Sequence, residues 1–200
     1  MALEFKIKLV GSAKPPIWRK IKVNDDITFE DFHNIIQVVF NWKNYHLYLF
    51  SPRGWGSSPI IQPNPEEDIF LEEPVSLASE FPNGTNFNSL EVKLNQYFTT
   101  EKQKIKYIYD VGDDWEHEIV LEKITDEIVL KPICTAGKGQ APVEDCGGVW
   151  GYYNMVEAIN DPKHEEHKDF MKWLGMKKGE TWDVNEFSVE EVNDNINELF

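Results

Sequence analysis

Arginine is almost missing from this chain: 200 residues contain only Arg19 and Arg53. Proteins that handle phosphate lean on that planar, bidentate donor, so its scarcity argues against phosphoryl or nucleic-acid chemistry. Cysteine is equally sparse. Cys134 and Cys146 lie twelve positions apart, with no C-x-x-C, which removes redox and zinc-knuckle motifs. No apolar run approaches the ~18 residues of a membrane span. "MALEFKIKLV" has no basic region leading into an apolar stretch, so no signal peptide is visible and the sequence predicts a soluble, cytoplasmic protein. P-loop, G-x-G-x-x-G and G-x-S-x-G patterns are also lacking, which leaves nucleotide hydrolysis and α/β-hydrolase chemistry without support.

Acid and aromatic rings are abundant. The net charge is −15. Residues 1–100 carry 9 Lys/Arg against 12 Asp/Glu, and residues 101–200 carry 11 against 23. Such a surface repels polyanions, so nucleic acid is an improbable partner and an anionic membrane is excluded. The lysines at 14, 20, 22, 102, 104 and 106 read as a solvated face or a protected sheet edge. With 41% hydrophobic residues, among them 7 Trp, 7 Tyr and 12 Phe, residues 1–200 are expected to form a single domain around one core.

Periodicity places the elements. Leu3, Phe5, Ile7 and Leu9 alternate along a strand, and "IWRKIKV" returns with Ile17, Arg19, Ile21 and Val23 on one face. A helix is predicted over about 29–41, with Thr28 as N-cap, Asp31 completing a capping box, and Phe29, Phe32, Ile35, Ile36, Val39 and Phe40 as its apolar stripe. Residues 45–50 read as a strand and 51–87 as an irregular excursion. A short helix is predicted over 89–98, with Leu90, Leu94 and Phe98 in line. A hairpin over 105–122 and a strand over 127–133 follow. From 147 onward three helical stretches are expected, the last over 188–200 with Ser188 as N-cap and Val189, Val192, Ile196, Leu199 and Phe200 inward. Strands first and helices later give an α+β fold: a mainly antiparallel sheet covered by helices, with a helical C-terminal third over 147–200.

Three clusters carry chemistry-bearing side chains. In "YIYDVGDDWEHEIVLE" (107–122), Gly112 is expected to supply the positive φ of the turn. His117 falls on the apolar face with Trp115, Ile119 and Leu121. It reads either as a core histidine fixed by a hydrogen bond, or as a partner of Asp110, Asp113 or Asp114 in a general-base or hard-metal site. In "CTAGKGQAPVEDCGGVWGYY" (134–153), Cys134, Cys146, Glu144 and Asp145 precede a glycine pair at a helix start. That is a thiolate or anion site with a lowered Cys pKa, or two buried thiols beside capping carboxylates. In "DPKHEEHKDF" His164 and His167 are three apart, one short of H-E-x-x-H, so the zincin reading fails and a solvated helix face remains.

These motifs together ("PPIWRKIKV", "HLYLF", "YIYDVGDDWEHEI", "EDCGGVWGYY" and "DPKHEEH", in that order along nearly the whole chain) resemble the plasmid pRiA4b ORF-3-like family of bacteria and archaea. The resemblance implies one compact α+β domain and no established activity. A resolvase label carried by some relatives fails a chemical check, since a serine recombinase needs several arginines around its nucleophile. The family's His-Leu-His-Glu strand appears here with Tyr48 and Leu49 in its last two places, leaving His46. Val143 replaces the second proline of its Pro-Pro-Glu-Asp-Cys run.

No complete catalytic constellation is legible. The leading expectation is therefore a non-enzymatic interaction module that binds a protein or peptide through exposed Trp55 and Trp150. The alternative is a metal-binding protein or metal-dependent hydrolase. It would use Asp110, Asp113, Asp114, His117, Glu144 and Asp145, with His117, Cys134 and Cys146 as a soft-metal set, and it requires the 107–122 hairpin tip to meet the 134–148 loop. The sequence specifies no cofactor and no oligomeric state.

Overall fold

A computed structural model of the chain describes residues 1–63 and 85–199. Its elements are β1 (Ala2–Leu9), β2 (Trp18–Asn24), α1 (Phe29–Val39), β3 (Tyr48–Ser51), β4 (Ile60–Gln62), β5 (Asn86–Asn88), α2 (Leu94–Tyr97), β6 (Lys104–Tyr109), β7 (Trp115–Thr125), β8 (Ile133–Lys138), α3 (Gly148–Asn160), α4 (His167–Trp173) and α5 (Val189–Leu199). The strands form one mixed sheet in the order β5-β4-β3-β6-β7-β1-β2-β8. Every pairing is antiparallel except β4 with β5. The fold class is α+β.

Alternation in the central strands sorts the two sheet faces. Phe5, Ile7, Leu9, Ile21, Val23, Tyr107, Tyr109, Trp115, His117, Ile119 and Leu121 are all buried. Against them lies α1, started by the predicted capping box: Asp31 N donates to Thr28 Oγ1 at 3.0 Å and Thr28 N to Asp31 Oδ2 at 2.9 Å. Its stripe interlocks with the sheet through Phe32 on Phe5 at 4.9 Å and Phe29 on Phe50 at 5.0 Å between ring centres. The opposite face carries a charge ladder. Lys20 pairs with Glu122, Lys22 with Glu4 and Glu127, Lys104 with Glu118 and Lys106 with Glu116. Near β3 that face is covered by a small apolar cluster of Leu49, Ile60 and Ile108 under Leu47 and Trp55.

Several predicted elements shift. The predicted strand over 127–133 is not one: Ile128 and Leu130 are 83% and 93% exposed, and the strand that pairs with β2 starts at Ile133. Pro132, which has no N–H, delays the ladder. The "TAGK" stretch is then recruited despite weak strand propensity, because Gly137 leaves room for the Phe187 ring: a Cβ there would lie 2.3 Å from Phe187 Cζ. The predicted helix over 89–98 shrinks to α2, and Leu90 is half exposed, since Asn88 Oδ1 caps its N–H at 3.0 Å in a turn. Within 51–87, β4 and part of β5 belong to the sheet, and residues 64–84 lie outside the described residues. The C-terminal third holds α3, α4 and α5, but 174–188 is a non-helical strap. In α5 Ser188 caps as expected, accepting from Glu191 N at 3.2 Å, and Ile196 is buried. Leu199 is 53% exposed, and Phe200 lies outside the described residues.

β8 ends the sheet, and α5 lies over it. Asn193 of α5 accepts from Cys134 N through its Oδ1 at 2.8 Å and donates from Nδ2 to Cys134 O at 2.9 Å.

Candidate functional site

The β6–β7 turn is built by aspartates. Asp110 (φ 59°) and Asp114 (φ 54°) take the left-handed conformation, and Gly112 does not. The expectation for Gly112 is corrected: Asp tolerates that region because its short side chain bonds the local backbone. Asp110 Oδ1 accepts from Gly112 N at 2.9 Å and Asp113 N at 3.3 Å. Its other oxygen, Oδ2, lies 3.6 Å from His46 Nε2.

The hairpin tip does meet the 134–148 loop. Gly147 N donates to Asp113 Oδ2 at 3.1 Å, and Gly148 packs so closely that a Cβ would sit 2.4 Å from Asp113 O. The glycine pair (φ 90° and 67°) therefore serves this close approach. It brings Asp145, itself at φ 62°, beside the turn, with Oδ1 3.1 Å from His46 Nε2. His46 enters from the chain just ahead of β3. The β3–β6 register pairs Tyr48 with Tyr109, and Asp110 N donates to Leu47 O at 2.9 Å.

His46, Asp110 and Asp145 thus offer three ligand atoms within 4.8 Å of one another, the only such group of three or more His, Cys, Asp or Glu side chains among the described residues. His46 Nε2 is buried and lies within ion-pair distance of both carboxylates, in a direction that makes no hydrogen bond among the described residues. Glu144 forms the neighbouring support. It accepts from Tyr109 OH at 2.5 Å and from Lys43 N at 2.8 Å, and the Tyr109 ring stands edge-on to His46 at 5.8 Å. Burial and then the Glu144 carboxylate push the Tyr109 phenol well above its ordinary value, so it stays a donor.

The other predicted residues separate from this group. Asp114 accepts from Trp55 Nε1 at 2.7 Å, which ties the half-buried Trp55 to the turn. Trp150, on the first turn of α3, is 88% exposed. His117 is fully buried among the Phe40, Trp42 and Tyr107 rings with Nδ1 on Trp115 O at 3.0 Å, and burial pushes its imidazole down to about 3. Cys134 and Cys146 are buried free thiols. Cys146 is pushed up to about 12 by burial and by Asp113 and Asp145, the reverse of the activation considered for it, and Cys134 is also raised by burial. His117, Cys134 and Cys146 are not brought to one point. His164 and His167 are engaged elsewhere: His164, in a turn before α4, accepts from Glu166 N at 3.2 Å, and His167 Nδ1 bonds Ala158 O at 2.9 Å. Sequence reasoning did not place His46 in the candidate cluster. The signal was available, since it is the histidine left in the altered "HLYL" strand.

The comparisons agree with this architecture. The sequence matches the family described as "Plasmid pRiA4b ORF-3-like protein" over residues 1–191. The chain is 30% identical over 172 residues to the uncharacterized protein y4hQ of Sinorhizobium fredii (strain NBRC 101917 / NGR234), covering 81% of this chain and 75% of that protein. It is also similar to the crystal structure of MM3350, a protein of unknown function from Methanosarcina mazei Go1, with a TM-score of 0.72 and 34% identity over 95% of this chain and 96% of that one. With its hairpin, glycine pair and histidine strand all inside the matched region, the chain belongs to the plasmid pRiA4b ORF-3-like family.

Proposed function

We propose that this protein binds a divalent cation through His46 Nε2, Asp110 Oδ2 and an Asp145 carboxylate oxygen. The observation that carries this reading is the buried, unbonded Nε2 facing two carboxylates that left-handed backbone conformations hold in place. One imidazole and two carboxylates suit zinc, manganese or ferrous iron. Three protein ligands leave coordination positions for water, the arrangement a metal-assisted hydrolysis would need. Gly112 N and Asp113 N orient Asp110 from behind, as second partners of a metal ligand do. Asp145 is exposed, so the site is open to exchange with solvent.

Elemental analysis of the purified protein, followed by calorimetric titration of chelator-treated protein with Zn²⁺ and Mn²⁺, tests this. The expected result is roughly one ion per chain, with affinity falling at least tenfold in His46→Ala and in Asp145→Asn. A metal-free protein that takes up neither ion, or variants that bind as the parent does, would overturn it.

A second reading, an interaction module for a protein or peptide, is favoured by Trp150. A tryptophan 88% exposed on a helix is the type of residue that anchors interfaces. Trp150→Ala should then abolish capture of a partner without changing cation uptake.

A further inference from the structure

Arg19 is 3% exposed, and among the described residues no carboxylate lies within the 4.0 Å of an ion pair. A guanidinium held out of water without an anion is costly, and the protein offsets this only in part. Nε donates to Val39 O at 2.8 Å, and Nη1 donates to Trp18 O at 2.9 Å and Lys138 O at 3.0 Å. The Phe187 and Phe40 rings lie 4.2 and 5.1 Å from its central carbon. Among the described residues Nη2 makes no hydrogen bond, and it is not fully enclosed, so it is the one guanidinium nitrogen that faces the solvent of the cleft.

Arg19 lines a cleft of about 550 Å³ between the end of α1, the 139–145 loop and the 174–188 strap. Gln140 lines the same cleft, and its buried Oε1 has no partner. Trp173, Trp182 and Phe187 supply apolar wall. The volume is that of a small-molecule site, with an apolar patch of aromatic rings set in a wall that is otherwise more polar than apolar. The lining also includes Glu144, Asp145, Glu186 and Glu191 against Lys43 and Arg19. That acid excess repels a multiply charged phosphate, for which a single free guanidinium nitrogen would in any case be a poor match.

We propose that this cleft binds a small, singly charged carboxylate, with Arg19 Nη2 taking the carboxylate oxygen and the tryptophans covering its apolar body. Burial pushes the guanidinium down to about 10, so it keeps its charge at neutral pH. The proposed cation site adjoins this cleft through Asp145, which belongs to both, and the proposal does not depend on it.

The test is a calorimetric titration of the intact protein. Benzoate, phenylacetate and isovalerate are each compared with their amides and with inorganic phosphate. At least one acid should bind saturably and roughly tenfold or more tighter than its amide, because the amide leaves a buried cation unpaired. Phosphate should not compete. Glu191→Gln should tighten the acid by removing a like charge, and Arg19→Gln, if it folds, should lose it. A short N-acetylated peptide with a free C-terminus separates two supporting cases: binding as tight as the free acids points to a chain end, and binding of the free acids alone points to a metabolite. No saturable binding by any acid, equal binding of acid and amide, or displacement by phosphate would overturn the proposal.

Discussion

His33 and His117 are the residues on which the core most depends electrostatically. His33 stacks on Tyr48 at 3.6 Å between ring centres, with Nδ1 on Tyr107 OH at 2.8 Å and Nε2 on Asn44 Oδ1 at 2.7 Å. Burial pushes both imidazoles down to about 3. The unfolded chain takes up these protons near an ordinary histidine value of about 6.5, whereas the folded chain refuses them until about pH 3. Stability is therefore intact above about pH 6.5 and drains as pH falls through that window, by about 1.4 kcal/mol per pH unit for each histidine. Urea unfolding at pH 7 and pH 5 should show this fall, and His117→Leu should remove about half of it, with His33 keeping its share. An unchanged slope in the variant would mean that the ring titrates normally in place. Alternation alone put His117 inside, beside Trp115 and Ile119, and that placement was legible. His33 was not, because its role depends on Tyr107 and Asn44, which chain pairing rather than local pattern brings to it.

Among the elements, the docked β6–β7 turn is where the proposed cation site meets the fold. Gly148→Ala forces a side chain into a φ of 67° and onto Asp113 O at 2.4 Å, against backbone that cannot give way. It should cost roughly 2–4 kcal/mol and release Asp145 from Asp110, so that cation affinity falls with stability. Gly175→Ala is the control. Its φ is 66° with nothing within 4 Å, so a loss of about 1 kcal/mol and unchanged cation uptake are expected. The contrast is read by thermal melting and calorimetry on both variants. The existence of the turn and the glycine pair before a helix were legible in "GDD" and "CGG", whereas the approach of the two segments entered only as a requirement of the metal reading. The third member of the cluster was not legible, because the β3–β6 register, which no local period encodes, sets His46 beside Asp110. For the same reason Ile128 and Leu130 misled: they alternate like a strand but have no neighbour to pair with.

For the whole molecule, charge distribution settles what the lysines do. The first hairpin's Lys20 and Lys22 are each matched by glutamates across the sheet, so they present no cationic stripe. With −15 overall, no mobility shift of duplex DNA is expected even at low salt, where any phosphate contact would be strongest. A salt-sensitive shift would return attention to Lys6, Lys8 and Lys14. Among the described residues no helix is long and apolar enough to cross a membrane. The sheet's last strand has a consequence for how copies of the chain meet. Because the Asn193 amide occupies both hydrogen-bonding groups of Cys134, it acts as one residue of a missing ninth strand. A second molecule therefore finds no continuous row of free donors and acceptors to extend. Removing that single amide should turn a self-limiting edge into a template for head-on sheet growth, seen as concentration-dependent turbidity in Asn193→Ala.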